Sequence, residues 1–474
     1  MITLLIICLI RALRFKPKGK VSVSSQPVRI DQEKAVTDLQ ALIRCKTVSH
    51  VGQNGDDQGE FDKLEATLKN NYPNVFLKAA FTKLSSREFV LRLGGRSEDK
   101  KHVSVLMAHF DVVDVSIENW KEDPFAGVRK NGELWGRGTI DTKGTLNGAL
   151  EAADQLLAQG FVPEHDIYFC FAGDEEVCGG AAKRAVEYFT SNHLEPLLVL
   201  DEGGAVVEGV FPGVKKAVAA VGTAEKGAVA IEFRIEGEGG HASAPKPHTP
   251  VGKLAQIAVE MEKRPFPFRL SPAAKEMFDT VGRQASFKYR FIYANLWLFA
   301  PLLNLLTRKT GGQLNALLRT TCALTMMQGS SASNVIPSEA MLGANLRLLP
   351  GDKVEDVAKK YQKIVDKLGI NAKVSFMYGW DPSRISVTDG DGYRKLSQAI
   401  LDTWGEDETV VSPYIMTACA DARFWSEISD KVYRFSAMKL TKEQIEMIHG
   451  DNERLSESQI AETVEFYYRL ERAL

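Results

Sequence analysis

Seven ionisable residues in five short motifs carry the chemistry this chain could do. They are His109 and Asp111 in AHFDVVD, Asp141 in GRGTIDTKG, Glu175 and Glu176 in AGDEEVCGG, Asp201 in VLDEGG and His449 in MIHGDNE. Mixed imidazole and carboxylate donors are hard enough to activate water and soft enough to hold zinc. The chain has only 8 histidines, so two of them beside acidic, glycine-flanked loops are informative. Two residues apart in an extended segment, His109 and Asp111 point to one side. The imidazole can then bind metal while the carboxylate orients the ring or holds a neighbour. Asp141 lies among glycines that permit tight turns, and a carboxylate there can bridge two dications about 3.5–4 Å apart. Read as an ordinary loop residue, it would instead cap the next helix. Glu175 and Glu176 diverge on an extended backbone, so one can coordinate metal while the other exchanges protons with water and a leaving nitrogen. Asp201 and His449 complete five ligands, two histidines and three carboxylates, one of them shared. Each residue alone has a plain structural reading; the set together specifies a two-metal hydrolytic site.

Such a site needs a scaffold that brings distant stretches to one edge. Val36, Leu39, Leu42 and Ile43 give residues 31–44 helical spacing, and 144–159 repeat Leu146, Leu150, Ala153 and Leu157 on one stripe before Gly160 stops the helix. Short apolar runs at 89–93, 103–107, 167–172 and 197–200 read as strands, and 180–191 as a helix. This alternation predicts an α/β fold with a mainly parallel sheet flanked by helices. His109, Glu175 and Asp201 then fall just past strand C-termini, the edge where open α/β sheets bind ligands. The pattern changes near Ala224. Residues 228–235, 320–327, 340–348 and 372–377 read as strands, with helices at 251–263 and 354–368, which predicts an inserted α+β domain. The expected organisation is an apolar and basic segment at 1–30, a catalytic domain at 31–222 and 379–474, and a lid or dimerisation domain at 223–378. There is no internal repeat.

Length and 44% apolar content suit two or three domains with sizeable cores. Basic and acidic residues balance at 59 against 61, and no basic stripe appears, which argues against nucleic acid as a partner. Cys8, Cys45, Cys170, Cys178, Cys322 and Cys419 form no C-x-x-C pair, so reduced and mostly buried thiols are expected. Cys170 and Cys178 read as packing residues on a strand and the next helix.

Residues 2–10 are nearly all apolar and precede Arg11, Arg14, Lys16, Lys18 and Lys20. The run is far short of the roughly 20 residues that span a bilayer. A secretory signal would carry its charge before the apolar run. Two readings stay open: membrane association at a cytoplasmic face through this basic flank, or a docked or frayed start. The location is cytoplasmic or membrane-associated accordingly. Residues 291–306 are also strongly apolar, but Asn295, Pro301 and Asn304 argue against a transmembrane span.

In this order, H-x-D, G-R-G-x-x-D-x-K-G, D-E-E, D-E-G-G and G-G-H-A-S-x-P resemble the M20 family of dinuclear zinc peptidases and aminoacylases. The stretch TTCALTMMQGSSASNVIPSEAMLGANLRLLPG and the apolar insertion before it look like the carboxypeptidase S and PM20D1 branch, whose members act on dipeptides or N-fatty-acyl amino acids. The resemblance implies two zinc ions, with cobalt or manganese as substitutes. His109 and Asp201 would hold one, Glu176 and His449 the other, with Asp141 between them. Glu175 would be the general base and acid, and Asp111 would support His109. His241, in a glycine-rich setting suited to an oxyanion donor, looks like the histidine that reaches the neighbouring active site in family homodimers. Asn334 and Arg347 match substrate-binding residues, the planar guanidinium suiting a terminal carboxylate. Asp421 and Arg423 match a stretch near the site whose role is open. Two departures stand out: residues 417–423 lose the glycines of T-G-G-T-D-x-R, and SSASNVIP replaces G-G-x-x-N-V-x-P. RALRFKPK also resembles the stretch after a signal or anchor in that branch.

The function expected is hydrolysis of amide bonds in N-acyl amino acids or short peptides with a free carboxylate. A dipeptidase and a non-catalytic binding protein of the same fold are the alternatives. Residues 287–306 would either receive a hydrophobic chain or form lid or dimer core.

Overall fold

The structure, a computed structural model, describes residues 2–17, 19 and 27–474; Lys18 and Lys20 of the basic flank lie outside them. Helix α1 (Ile2–Arg14) comes first. Next are α2 (Gln32–Ile43), α3 (Gln58–Asn71), α4 (Pro73–Lys78), β1 (Ala80–Ser85), β2 (Glu88–Leu93), β3 (His102–His109), β4 (Val128–Lys130) and β5 (Glu133–Trp135). After these come α5 (Lys143–Ala158), β6 (Asp166–Ala172), α6 (Ala181–Ser191), β7 (Glu195–Val207) and β8 (Ala217–Glu225). The middle of the chain holds β9 (Gly227–Glu236), β10 (Gly240–His241), α7 (Pro250–Lys263), α8 (Pro272–Gln284), α9 (Phe287–Ala294), α10 (Leu296–Thr310) and α11 (Gly312–Leu318). It continues with β11 (Thr321–Gln328), β12 (Val335–Ile336), β13 (Glu339–Leu348), α12 (Val354–Leu368) and β14 (Lys373–Trp380). The last part is α13 (Asp391–Trp404), β15 (Thr409–Met416), α14 (Ala422–Trp425), β16 (Val432–Leu440), α15 (Lys442–Met447), β17 (Arg454–Ser456) and α16 (Glu457–Ala473).

Eight strands form the main sheet in the order β1-β2-β6-β3-β7-β16-β8-β15. Its centre, β6-β3-β7-β16, is parallel, as is the pair β8–β15. At one side β1 runs antiparallel to β2 and β2 to β6, and β16 meets β8 antiparallel, so the sheet is mixed and parallel only where helices cross over. β3 and β6 are buried on both faces. Leu106, Phe169 and Leu200 pack on the side of α2, α5 and α16; Val105, Tyr168 and Val199 pack on the side of α6 and α14. Such two-sided burial explains why these strands read as continuous apolar runs.

Between β8 and α13 the chain builds a four-stranded antiparallel sheet, β11-β13-β9-β14, with α7 and α12 against one face around Val229, Ile231, Leu342 and Tyr361. A small ribbon pairs β10 with β12. Helices α8 to α11 do not join this layer. Met277, Phe278 and Leu317 pack with Ile415 of β15, on the main sheet. Asn295 ends α9, and α10 continues through Pro301. No described helix is long and apolar enough to cross a membrane. The cysteines are unpaired as expected, but only Cys8, Cys45 and Cys170 are buried. Cys178 is exposed because it lies in the turn ahead of α6 rather than on the helix.

Candidate active site

His109 is the last residue of β3, buried where the strand leaves the sheet. Its Nδ1 lies 3.0 Å from the Asp111 carbonyl oxygen, the acceptor that would take an Nδ1–H, which turns Nε2 outward toward the rim. Nε2 is 3.0 Å from Asp141 Oδ1 and 3.5 Å from Glu202 Oε1. Across Asp141, the imidazole of His449, from the turn after α15, places Nε2 3.1 Å from Asp141 Oδ2 and 2.9 Å from Glu176 Oε2. Each oxygen of Asp141 therefore meets a different histidine. Thr142, not Asp141, is the residue that precedes α5, so the aspartate is free of the capping role the sequence allowed.

The DEE motif divides its labour. Asp174 accepts the N–H groups of Gly180 and Ala181 and so fixes the start of α6. Glu175 and Glu176 turn toward the rim, their own N–H groups donating to Asp111 at 3.2 and 3.1 Å. Asp111 also accepts from Ser49 Oγ at 2.6 Å, and its Oδ1 lies 3.4 Å from His109 Nδ1. Asp111 thus holds both the imidazole and the glutamate backbone. Gly173 makes the turn feasible: a Cβ there would sit 2.2 Å from the Phe110 ring.

Asp201, expected among the ligands, is buried at the same rim. Asp201 Oδ1 accepts the Glu202 N–H at 2.9 Å and Oδ2 accepts the Ala422 N–H at 2.8 Å, so the carboxylate is tied to backbone. Its neighbour Glu202 is the side chain that reaches His109. Glu202 was legible in principle, since DEGG holds an adjacent acidic pair just as DEE does. Two donor triads result: His109, Asp141 and Glu176, and His109, Glu175 and Glu202.

A second residue missed from sequence is Glu453, fully buried four positions after His449. It accepts from Arg137 Nη1 and from the N–H groups of Gly138, Ile140 and Asp141, at 2.6 to 3.1 Å. One carboxylate thereby ties the Asp141 loop to the His449 loop. Nothing in HGDNE distinguishes such a brace from a solvated acid.

Charge at the rim is one-sided. Burial drives the pKa of Glu175 well up, and the carboxylates of Glu202, Asp421 and Glu176 add to it despite His109. Burial, then Asp141, pushes Glu202 to about 8, and burial also raises Glu176 and Asp201. Hydrogen bonds to Asp141 and Glu176 lift His449 to about 10. Burial opposes charge on His109, yet its bonds to Asp111, Asp141 and Glu202 hold its pKa well above the ordinary value. Asp421 is buried beside the cluster with Oδ2 unpartnered, and burial raises it too. Acidic oxygens in this density, with no lysine or arginine in ion-pair contact with Glu175, Glu176, Asp201 or Glu202 among the described residues, fit a site completed by cations.

The three expected substrate-binding residues lie apart from these contacts. His241 is exposed on the β10–β12 ribbon, paired in register with Val335, and Nδ1 hydrogen-bonds Ser243 at 2.7 Å. Asn334, adjacent to Val335, accepts the Ala242 N–H through its backbone carbonyl. Arg347 lies on β13, where Nη1 contacts Cys419 Sγ at 2.9 Å. Cys419 belongs to the stretch that lost its glycines, and Arg423, just after it in α14, packs its guanidinium 5.0 Å from the Trp380 ring.

A family model described as peptidase family M20/M25/M40 matches residues 105–472. The chain is 34% identical to a probable carboxypeptidase S-like 2 of Dictyostelium discoideum, over 99% of this chain and 92% of the relative. It is 33% identical to the N-fatty-acyl-amino acid synthase/hydrolase PM20D1 of Xenopus tropicalis, over 93% of this chain and 86% of the relative. Among solved structures, an M20 family metallo-carboxypeptidase from Sulfolobus solfataricus superposes with a TM-score of 0.68 at 18% identity, covering 92% of this chain and 98% of that one.

Proposed function

Because this chain belongs to peptidase family M20/M25/M40, we propose that its rim cluster holds two zinc ions and hydrolyses N-acyl amino acids that carry a free carboxylate. The observation that carries this reading is Asp141, whose two oxygens each face a different imidazole. His109, Asp141 and Asp201 would hold one ion, with Glu202 beside His109 as a further carboxylate; Asp141, Glu176 and His449 would hold the other. When bound, such cations polarise a scissile carbonyl and acidify water.

The remaining work falls to the chain's own groups. Glu175 takes the proton of the attacking water on a carboxylate oxygen and passes it to the leaving amide nitrogen. Its raised pKa suits the second transfer, and positive charge in the site would lower it for the first. Asp111 fixes the His109 ring and the backbone of Glu175, so acid and ligand keep their relative places. Arg347 selects substrates with a terminal carboxylate through its planar fork. His241 acts as an oxyanion donor across a homodimer, a role supported by its exposed ribbon.

A fatty acyl group is favoured by the 33% identity to the Xenopus protein. Small peptides are the second reading, favoured by the carboxypeptidase S-like name of the Dictyostelium relative. Purified zinc-loaded protein assayed in parallel on N-oleoyl amino acids and a Gly-Leu dipeptide decides between them. Faster turnover of the dipeptide transfers the reading to peptides, and turnover of neither sinks both.

A further inference from the structure

Two stretches far apart in sequence share an unusual composition. Residues 1–30 contain no aspartate or glutamate, and neither do residues 280–338. Acidic residues slightly outnumber basic ones in the whole chain, 61 to 59. The fold brings these two stretches together. Helix α1 lies on α9, where Arg11 donates through Nε and Nη2 to the Ala294 carbonyl and Asn295 Nδ2 donates to the Cys8 carbonyl. Arg283 stacks on Phe15 and donates to the Lys16 carbonyl.

That docking uses only a narrow stripe of α1. Cys8 and Ala12 are its buried residues, four apart on one face. Ile2 (76% exposed), Leu5 and Leu13 project outward, as do Trp297, Leu302 and Leu305 (66% exposed) on α10. An apolar cleft of about 440 Å³ lies in the same helical group, lined by Ile292, Leu302, Leu306 and Leu314. Arg11, Arg14, Lys275 and Arg283 gather beside Trp297 where the two stretches meet, with Asp279 as the one acid among them, paired with Arg283.

We propose that α1 and α10 form one docking face for a bilayer bearing anionic phospholipids. Large apolar side chains unpartnered in water favour transfer to an acyl environment. A tryptophan at the margin suits the headgroup level, and a local surplus of cations complements phosphate and serine headgroups. The face would lie on the bilayer in the manner of an interfacial helix. The two acid-free stretches distinguish this occupant from a second copy of the chain, which would set like charges against each other. The inference is independent of which amide the rim cleaves.

The full chain is mixed with vesicles of phosphatidylcholine alone or with added phosphatidylserine, and co-sedimentation is measured. Binding is expected with the anionic vesicles, about tenfold weaker with neutral ones, and weaker in high salt. Trp297→Asp with Leu305→Asp should abolish it, and so should Leu5→Asp with Leu13→Asp. Arg14→Glu with Lys16→Glu should remove only the anionic preference. Unchanged thermal midpoints and unchanged turnover of a water-soluble substrate verify that the variants are folded. The proposal is overturned if the parent protein stays in the supernatant with anionic vesicles, or if either apolar pair binds like the parent. It is equally overturned if the parent is a dimer that these substitutions split while vesicle binding is absent.

Discussion

Of two acidic clusters buried in the body around the eight-stranded sheet, one is partnered by a lysine and the other by imidazoles alone. At the seam between α2 and α5, Lys34 Nζ lies 2.7 Å from Asp38 and 2.6 Å from Glu151, while Asp154 accepts backbone N–H groups from Asn74 and Val75. At the rim, Asp141, Glu175, Glu176 and Glu202 converge on two imidazoles. The seam is a closed structural solution, since every charge has a partner from the chain. The rim has more buried carboxylates than imidazoles to partner them, an arrangement that suits added positive charge. The difference teaches that acid density alone does not mark a site; acid density without lysine or arginine does.

Metal removal would break that contrast most directly. Zinc at a thousand times its dissociation constant adds about 4 kcal/mol per site, so two sites together should add about 8 kcal/mol to unfolding stability. A chelator should lower the thermal midpoint of the parent protein strongly and abolish turnover, with both restored by zinc. A midpoint indifferent to chelator would place the rim with the seam. Glu175→Gln comes next: turnover should fall by about 10³-fold, with zinc content unchanged by elemental analysis. Retained turnover would remove the proton-transfer role. Glu453→Ala should then cost about 3 kcal/mol in chemical denaturation, because Arg137 is left buried without its partner. Zinc affinity should fall in the same variant, since the Asp141 and His449 loops lose their tie.

Legibility in the sequence divides along the same line. The rim was legible because metal chemistry constrains residue type, so His109, Asp141, Glu175, Glu176 and His449 stand out in glycine-bordered motifs. The central strands were legible because burial on both faces leaves only apolar residues at 103–107 and 167–172. Glu202 was not legible beside Asp201, since adjacent acids look alike in sequence and only the fold turns the second toward His109. In β7 a Cβ at Gly204 would sit 1.7 Å from the Ala220 carbonyl, so the strand's path past these acids depends on a close crossing that no local pattern encodes. Glu453 was hidden for a related reason: a buried brace and a solvated acid have the same letters. The packing of α8 to α11 on β15 was hidden too, because apolar helices do not state which sheet they cover.

The seam offers the smallest and cleanest test of the contrast. Burial raises Glu151 to about 7, with Lys34 working against the shift and Asp38 adding to it. The folded protein therefore keeps the Glu151 proton up to about pH 7, while the unfolded chain loses it near the ordinary carboxylate value. Between those two values the folded state binds more protons, so this group's contribution to stability declines as pH rises and levels off above pH 7. Partial exposure of Lys34 screens the pair, so the decline attributable to Glu151 should be about 1–2 kcal/mol. Glu151→Gln should remove that part of the slope in denaturation curves measured across the interval, in metal-free protein so that the rim does not contribute binding-linked protons. The lysine already compensates this cluster, so the variant should also leave zinc content and turnover unchanged. A Glu151→Gln protein that lost zinc would show that the two clusters are coupled through α5, and the contrast between a self-neutralised seam and a rim suited to added cations would no longer hold.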